Sequence, residues 1–357
     1  MRVSRPAAWF ILVGAILLSG LLRHFSGGMW TRPFVPAPVC VFLFLLLVCL
    51  FVVIVRGWGR RQEVPYAGEG LSQVNLLAMV PLLIALLGEK WFSATFYIPA
   101  VRLGARAGLP SDMLGPFHEF LAGVGILFVS AALLPLFPRL WSLLRDFLSV
   151  RALAAGISGT VAALCVLYVA VCVTVLLIGG HDTYLYPRWF GSWAGLRFAG
   201  QALLALGEEI YYRGIIQTEI VFLMPALGVG RPATAAAMGV GLAGAQFALE
   251  HVSPGAGIAA GAVFLFSMLS AVLLGTLLVS LRSLYLCALA HFALNLFTLG
   301  GGIQVTDAAG RPLIASEMYV SLYLVALVLL VYSRFGPERQ ALARRRAQRL
   351  AGRAATP

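Results

Sequence analysis

Ten stretches of this chain are long and apolar enough to cross a lipid bilayer, and nothing else in the sequence restricts the fold as strongly. They fall at roughly 7–23, 35–55, 75–99, 119–137, 152–178, 198–222, 232–251, 257–280, 284–300 and 316–333. A hydrocarbon core about 30 Å thick takes about 20 apolar residues in a helix. Inside lipid every backbone N–H and C=O must find its partner within the protein, so such spans are helices. The expected fold class is all-α: a polytopic transmembrane helix bundle of about ten spans. Composition agrees, because 61% of the 357 residues are hydrophobic and only 11% are charged, against about 25% charged in an average soluble domain. The third stretch is the weakest, being interrupted by Glu89 and Lys90.

The connections are loop-sized, the longest at about 57–74, 179–197 and 301–315, and no internal repeat is visible. The chain therefore divides into N-terminal spans and loops (1–190), a core segment (198–300), a last loop and span (301–333) and a basic tail (334–357). That tail carries seven Arg against one Glu, which is half of the net charge of +12. A basic tail after the last span marks a cytoplasmic end facing anionic lipid. The expected setting is a multi-pass plasma (inner) membrane protein with the tail cytoplasmic, whose surroundings are the lipid bilayer and not nucleic acid. The N-terminus, basic residues followed by an apolar run, reads as a retained signal anchor. The five cysteines, Cys40, Cys49, Cys165, Cys172 and Cys287, lie in apolar stretches without a CxxC and read as packing residues.

Arg placement sets the orientation. Arg2, Arg5, Arg56, Arg60, Arg61, Arg139, Arg145, Arg151, Arg231 and Arg282 fall on the side of the tail if ten spans alternate. Arg23, Arg32, Arg102, Arg106, Arg188, Arg197 and Arg311 fall opposite, so the bias is present but incomplete.

The sixth stretch contains GEEIYYRG (207–214), which places Glu208, Glu209 and Arg213 within an apolar helix. One charge at the centre of a spanning helix costs about 2.5–3.5 kcal/mol on insertion scales. Glu209 and Arg213 are four residues apart and share a helix face, so they can pair. Glu208 points elsewhere and has no counterion on its own helix. Such a carboxylate can take up and release a proton, which a general base must do. Partners are expected on other spans. His24, His118 and His181 lie at span ends or in loops, but His251 ends the seventh stretch in FALEH and His291 is mid-span in HFALN, with Asn295 one turn on. Taken singly these could be helix-to-helix hydrogen bonds. Together they point to one buried site supplied by several helices. Gly239, Gly241 and Gly244 read as close-packing positions, Glu219 and Glu250 as charges near the water interface, and YLYPRWFGSW (184–193) as an aromatic interface belt or a lid.

The motifs EEIYYR (208–213), FALEH (247–251) and HFALN (291–295), each on its own span and in this order, resemble the type II CAAX prenyl endopeptidases. These belong to the wider CAAX-protease and bacteriocin-processing family of intramembrane proteases. The resemblance covers about 198–300, which would be the catalytic core. It implies that Glu208 activates the attacking water, that His251 helps to hold it, and that His291 and Asn295 donate to the oxyanion. Glu209 and Arg213 would support the site from behind. No cofactor is required on this reading. A divalent metal such as zinc is the alternative, held by Glu208, His251 and His291, because two His and one Glu also form a zinc set. The metal-free reading is favoured, since HExxH is absent and zinc would demand another base.

With the tail cytoplasmic, the site opens to the outer face. The expected partner is a peptide or protein substrate with a membrane-proximal cleavage site. Trimming of exported or lipid-anchored proteins, as proposed for the sorting-type members called myxosortases, fits that facing. Two other function classes compete: a non-catalytic immunity or scaffold protein of the same fold, and a proton-coupled transporter.

Overall fold

The computed structural model describes residues 2–29, 73–92, 104, 106–154, 156–159, 161–162, 165, 184–187, 193–252, 259–298 and 303–306. The second and tenth expected spans, most of the fifth and the basic tail lie outside these residues. Helix dominates what is described, as expected. In chain order the elements are β1 (Arg2–Ser4), α1 (Arg5–Met29), β2 (Gln73–Asn75), α2 (Leu76–Phe92), α3 (Ser111–Leu133), α4 (Pro138–Phe147) and β3 (Tyr184–Pro187). There follow α5 (Ala194–Glu208), a π-helical segment (Glu209–Gln217), α6 (Thr218–Leu223), α7 (Pro232–His251), α8 (Ala259–Leu281), α9 (Leu284–Thr298) and β4 (Ile303–Thr306).

Among the described residues two helices are long and apolar enough to cross a membrane, Ser111–Leu136 with its terminal turn and Pro232–His251. Shorter apolar helical runs occupy Arg5–Leu21, Leu76–Gly88, Val263–Val279 and Leu284–Asn295. The seventh expected stretch, 232–251, coincides with α7 because Pro232 pre-sets the first helical turn. α3 starts eight residues before its expected span at 119, because Ser111 and Asp112 suit a helix N-terminus although they are too polar for a spanning window. α2 continues through Glu89 and Lys90.

α4 lies between the fourth and fifth expected spans and is amphipathic. Leu140, Leu144 and Phe147 are buried at helical spacing, while Trp141, Arg145 and Asp146 are exposed. Two short antiparallel pairs also stand outside the all-helical expectation. β1 pairs with β2 (Arg2 opposite Asn75), and β3 with β4 (Tyr184 opposite Thr306, Pro187 opposite Ile303). The start of the aromatic loop is thus a strand. Glu219 and Glu250 are buried.

α5, the π segment and α6 form one rod from Ala194 to Leu223, around which the others pack. Between helices surrounded by lipid, close approach and dispersion hold the contact more than water exclusion does. Glycine supplies that approach on the α3 side. A Cβ at Gly200 would lie 2.6 Å from the Phe120 backbone nitrogen, one at Gly123 would lie 2.6 Å from that of Leu204, and one at Gly207 would overlap Ile126. α3 therefore runs parallel to the rod. α7 runs antiparallel, Gly239 meeting Val221 and Phe247 meeting Arg213. α9 does the same, with Leu284 beside Gly214 and Asn295 beside Gln201. α8 reverses again, placing Gly275 by Gln217 and Met268 by Gly244. α1 begins at the far end of the rod, where Arg5 Nε donates to the Ala226 carbonyl (3.1 Å) and Trp9 Nε1 to that of Leu227 (3.3 Å). The β1–β2 pairing starts α2 at the same end. Helices α1, α2, α7 and α9 thus run one way, and α3, the rod and α8 the other.

Candidate active site

The rod changes its winding at the motif. In Glu209–Gln217 the backbone bonds span five residues instead of four, and each residue turns less about the axis than in an α-helix. Gly214 has no side chain to clash where Leu144 presses in, since a Cβ there would be 2.9 Å from Leu144 Cδ2. The Thr218 hydroxyl donates to the Arg213 carbonyl at 2.8 Å, five residues back. π turns inside helices recur at functional sites.

Glu208 and Glu209 both keep regular helical φ and ψ at the start of this segment, and they share one partner. On a regular α-helix adjacent side chains diverge by about 100°, and the sequence reading sent Glu208 away from Glu209. Here both reach the imidazole of His291. Its Nδ1 is 2.8 Å from Glu209 Oε1, and its Nε2 is 3.4 Å from Glu208 Oε2. Arg213 Nε stands 3.3 Å from Glu209 Oε2, so the expected Glu209–Arg213 pair forms. Glu209 and Arg213 are fully buried, whereas the Glu208 side chain keeps 15% exposure and is the approachable carboxylate.

Proton placement follows from donor inventory. Glu209, bound to a guanidinium, is an acceptor only, so His291 presents Nδ1–H to it. Nε2 then faces Glu208. A carboxylate oxygen and an imidazole nitrogen thus stand 3.4 Å apart, and the carboxylate is the more exposed of the two glutamates.

Phe247 links this group to α7, the helix of the second motif. The Arg213 guanidinium lies 4.4 Å from the centre of its ring, and the Tyr212 and His291 rings meet it edge-on at 5.0 and 5.9 Å. His251 lies against the same ring at 4.1 Å, tilted by 32°. His251 Nδ1 is 2.8 Å from the Phe247 carbonyl, an acceptor, so that nitrogen carries the proton and Nε2 is the imidazole's other face. Asn295, buried one turn beyond His291, donates Nδ2–H to Gln201 Oε1 at 3.0 Å.

The structure therefore brings Glu208, Glu209, Arg213 and His291 into direct contact, joins His251 to them through Phe247, and ties Asn295 to Gln201. Sequence reasoning did not single out Phe247 as the shared ring, nor Gln201. A polar residue two turns before Glu208 in the same apolar stretch was the available signal for Gln201. Tyr211, between the motif charges, donates to the Ala85 carbonyl and so fastens α2 to the rod. Among the described residues no group of three His, Cys, Asp or Glu could hold a metal ion. The Glu208, His251 and His291 set does not fit zinc as it stands, and no step below runs through a metal.

Residues 189–297 match the family model of the type II CAAX prenyl endopeptidase, Rce1-like. The matched segment contains every motif residue described above, and the resemblance seen in the motifs is borne out. The first 188 residues and the last 60 lie outside it. No curated protein and no solved structure matches the chain.

Proposed function

We propose that the Rce1-like segment of this membrane protein is an intramembrane endopeptidase that hydrolyses a peptide bond near a membrane anchor, using water activated by Glu208. The observation that carries the reading is the contact between Glu208 and His291, two motif side chains on different helices, with the more accessible carboxylate facing the imidazole. A water on Glu208 gives up a proton as its oxygen bonds to the scissile carbonyl carbon. The carbonyl oxygen becomes an oxyanion, for which Asn295 and His291 are the donors. His251 helps to hold the water. When the C–N bond breaks, the proton from Glu208 passes to the departing amine. Glu209 and Arg213 act behind these groups, keeping the His291 tautomer.

The same reading places the chain in the plasma membrane with ten spans and a cytoplasmic tail. α1 and α2 both start at one end of the bundle, so the chain has returned to that end by Gln73, and the apolar stretch 35–55 lies in between. α3 and the rod are likewise parallel, with 152–178 between them. The termini of these helices alternate as ten spans require, which supports a site opening toward the outer face. Substrates are then exported or lipid-anchored proteins, the trimming attributed to myxosortase-like members.

The test is Glu208→Gln expressed at the wild-type level, with membrane-protein termini compared between the two cells. The expected result is loss of a defined set of processed termini. Identical termini would leave a non-catalytic immunity or scaffold protein, and Glu208-dependent proton flux with unchanged termini would mark a transporter.

A further inference from the structure

Gln201 is 1% exposed, lies two turns before Glu208 on the rod, and is not part of any motif in the matched family order. Its carbonyl oxygen receives Asn295 Nδ2–H at 3.0 Å. Glu119 on α3 lies beside the Gln201 side chain, and Glu119 Oε2 stands 3.9 Å from Arg197 Nε. The line Arg197, Glu119, Gln201, Asn295 runs from partly exposed side chains into the buried site, where Arg197 and Glu119 keep 34% and 25% exposure.

Asn295 donates its NH₂ to the Gln201 oxygen. A carboxylate beside a guanidinium accepts, so the NH₂ end of Gln201 suits the Glu119 side. A primary amide has two N–H bonds. With one held by Gln201, the second is fixed in the same plane and Oδ1 is turned away from Gln201. An amide free to rotate would present its oxygen, an acceptor, to an oxyanion half of the time.

We propose that Gln201, anchored by Glu119, is a positioning residue that sets the amide of Asn295 with its NH₂ group toward the reacting carbonyl. This rests on the endopeptidase reading for its effect on rate, but the orientation itself does not. The glycines at 123, 200 and 207 bring α3 close enough for Glu119 to reach the line, which gives that backbone contact a function beyond packing.

The chain has only two asparagines, Asn75 and Asn295. Asparagine-selective ¹⁵N labelling of the full chain in lipid nanodiscs therefore gives two side-chain NH₂ signals, and the one lost in Asn295→Leu is that of Asn295. Gln201→Leu and Gln201→Glu should each move this signal. The exchange Glu119→Gln with Gln201→Glu should restore it. In that exchange the amide now on α3 donates, the carboxylate now on the rod accepts, and Asn295 still meets an acceptor. Gln201→Leu should also slow formation of the Glu208-dependent termini by about tenfold to a hundredfold, part of the loss seen when an oxyanion donor is removed outright. The exchange should recover processing to within about threefold, and Gln201→Leu should add nothing in an Asn295→Leu background, since coupled sites are not additive. An unmoved Asn295 signal in Gln201→Leu overturns the proposal whether or not the protein is a protease. A moved signal with wild-type processing overturns the positioning role alone. If Glu208→Gln itself changes no terminus, the endopeptidase reading fails, and the NMR arm still decides whether Gln201 orients Asn295.

Discussion

Replacing Arg213 by Met separates the two partners that hold Glu209. The side chain is almost wholly buried, its Nε is 3.3 Å from Glu209, and its plane covers Phe247 at 4.4 Å. Met preserves much of the volume and the contact with the ring but removes the cation. Glu209, with no exposure, is left with His291 Nδ1 as its remaining polar partner. Breaking a buried pair by removing one partner costs about 3–5 kcal/mol, whereas replacing both by apolar or neutral groups is often neutral. Arg213→Met should therefore destabilise by about that amount, and Glu209→Gln with Arg213→Met should recover most of it. Chemical unfolding of purified protein in mixed micelles, followed by tryptophan fluorescence, measures both. The double variant should nevertheless process poorly, because the amide introduced by Glu209→Gln can present either its NH₂ or its oxygen to His291 and no longer selects Nδ1–H. A loss below about 1 kcal/mol for Arg213→Met, the range of an exposed pair, would falsify the assignment of Arg213 as the principal counterion. So would a double variant no more stable than the single one.

Gly207→Ala should destabilise by about 1–3 kcal/mol through overpacking against Ile126, and Ile126→Ala should relieve it if the two helices meet as closely as this contact requires; thermal unfolding of the pair reads this. Tyr211→Phe removes the hydroxyl bond to Ala85 and should cost about 0.6 kcal/mol, at most about 1.7, the range for hydrogen bonds between helices in bilayers. Phe247→Ala should cost about 3–5 kcal/mol and also lower processing, since one ring supports Arg213, His251 and His291. Reporter fusions in loops 252–256 and 301–315 should be active on the outer side only, and cytoplasmic activity there would reverse the proposed facing.

The motif helices were legible because membrane insertion leaves few reasons for an intramembrane charge. The cost of intramembrane charge singled out Glu208, Glu209, Arg213 and His291, which the structure brings into contact, and the stretch expected at 232–251 coincides with α7. What escaped was whatever depends on three-dimensional register. The π winding of Glu209–Gln217 has no pattern in apolar periodicity, because that segment is buried on nearly every side and period conveys nothing there. α4 was hidden by its charges, which an eye set for spans reads as a loop. The pairings of β1 with β2 and of β3 with β4 join segments far apart in sequence, and short strands without alternation announce nothing locally. Gln201 was overlooked for a different reason: one amide in an apolar helix is ordinary until its partner is known.

The two adjacent glutamates diverge about the helix axis, yet both meet the imidazole of His291, one at each nitrogen. Glu209 is then more than a counterion for Arg213. By claiming Nδ1–H it fixes the tautomer of His291, as the partner of one ring nitrogen does for the other. That leaves Nε2 to face Glu208, while Arg213 supplies the cation beside Glu209. The buried pair and the accessible carboxylate therefore meet on one imidazole, and on the proposed endopeptidase reading a variant that preserves Glu208 but unsettles Glu209 should lose processing.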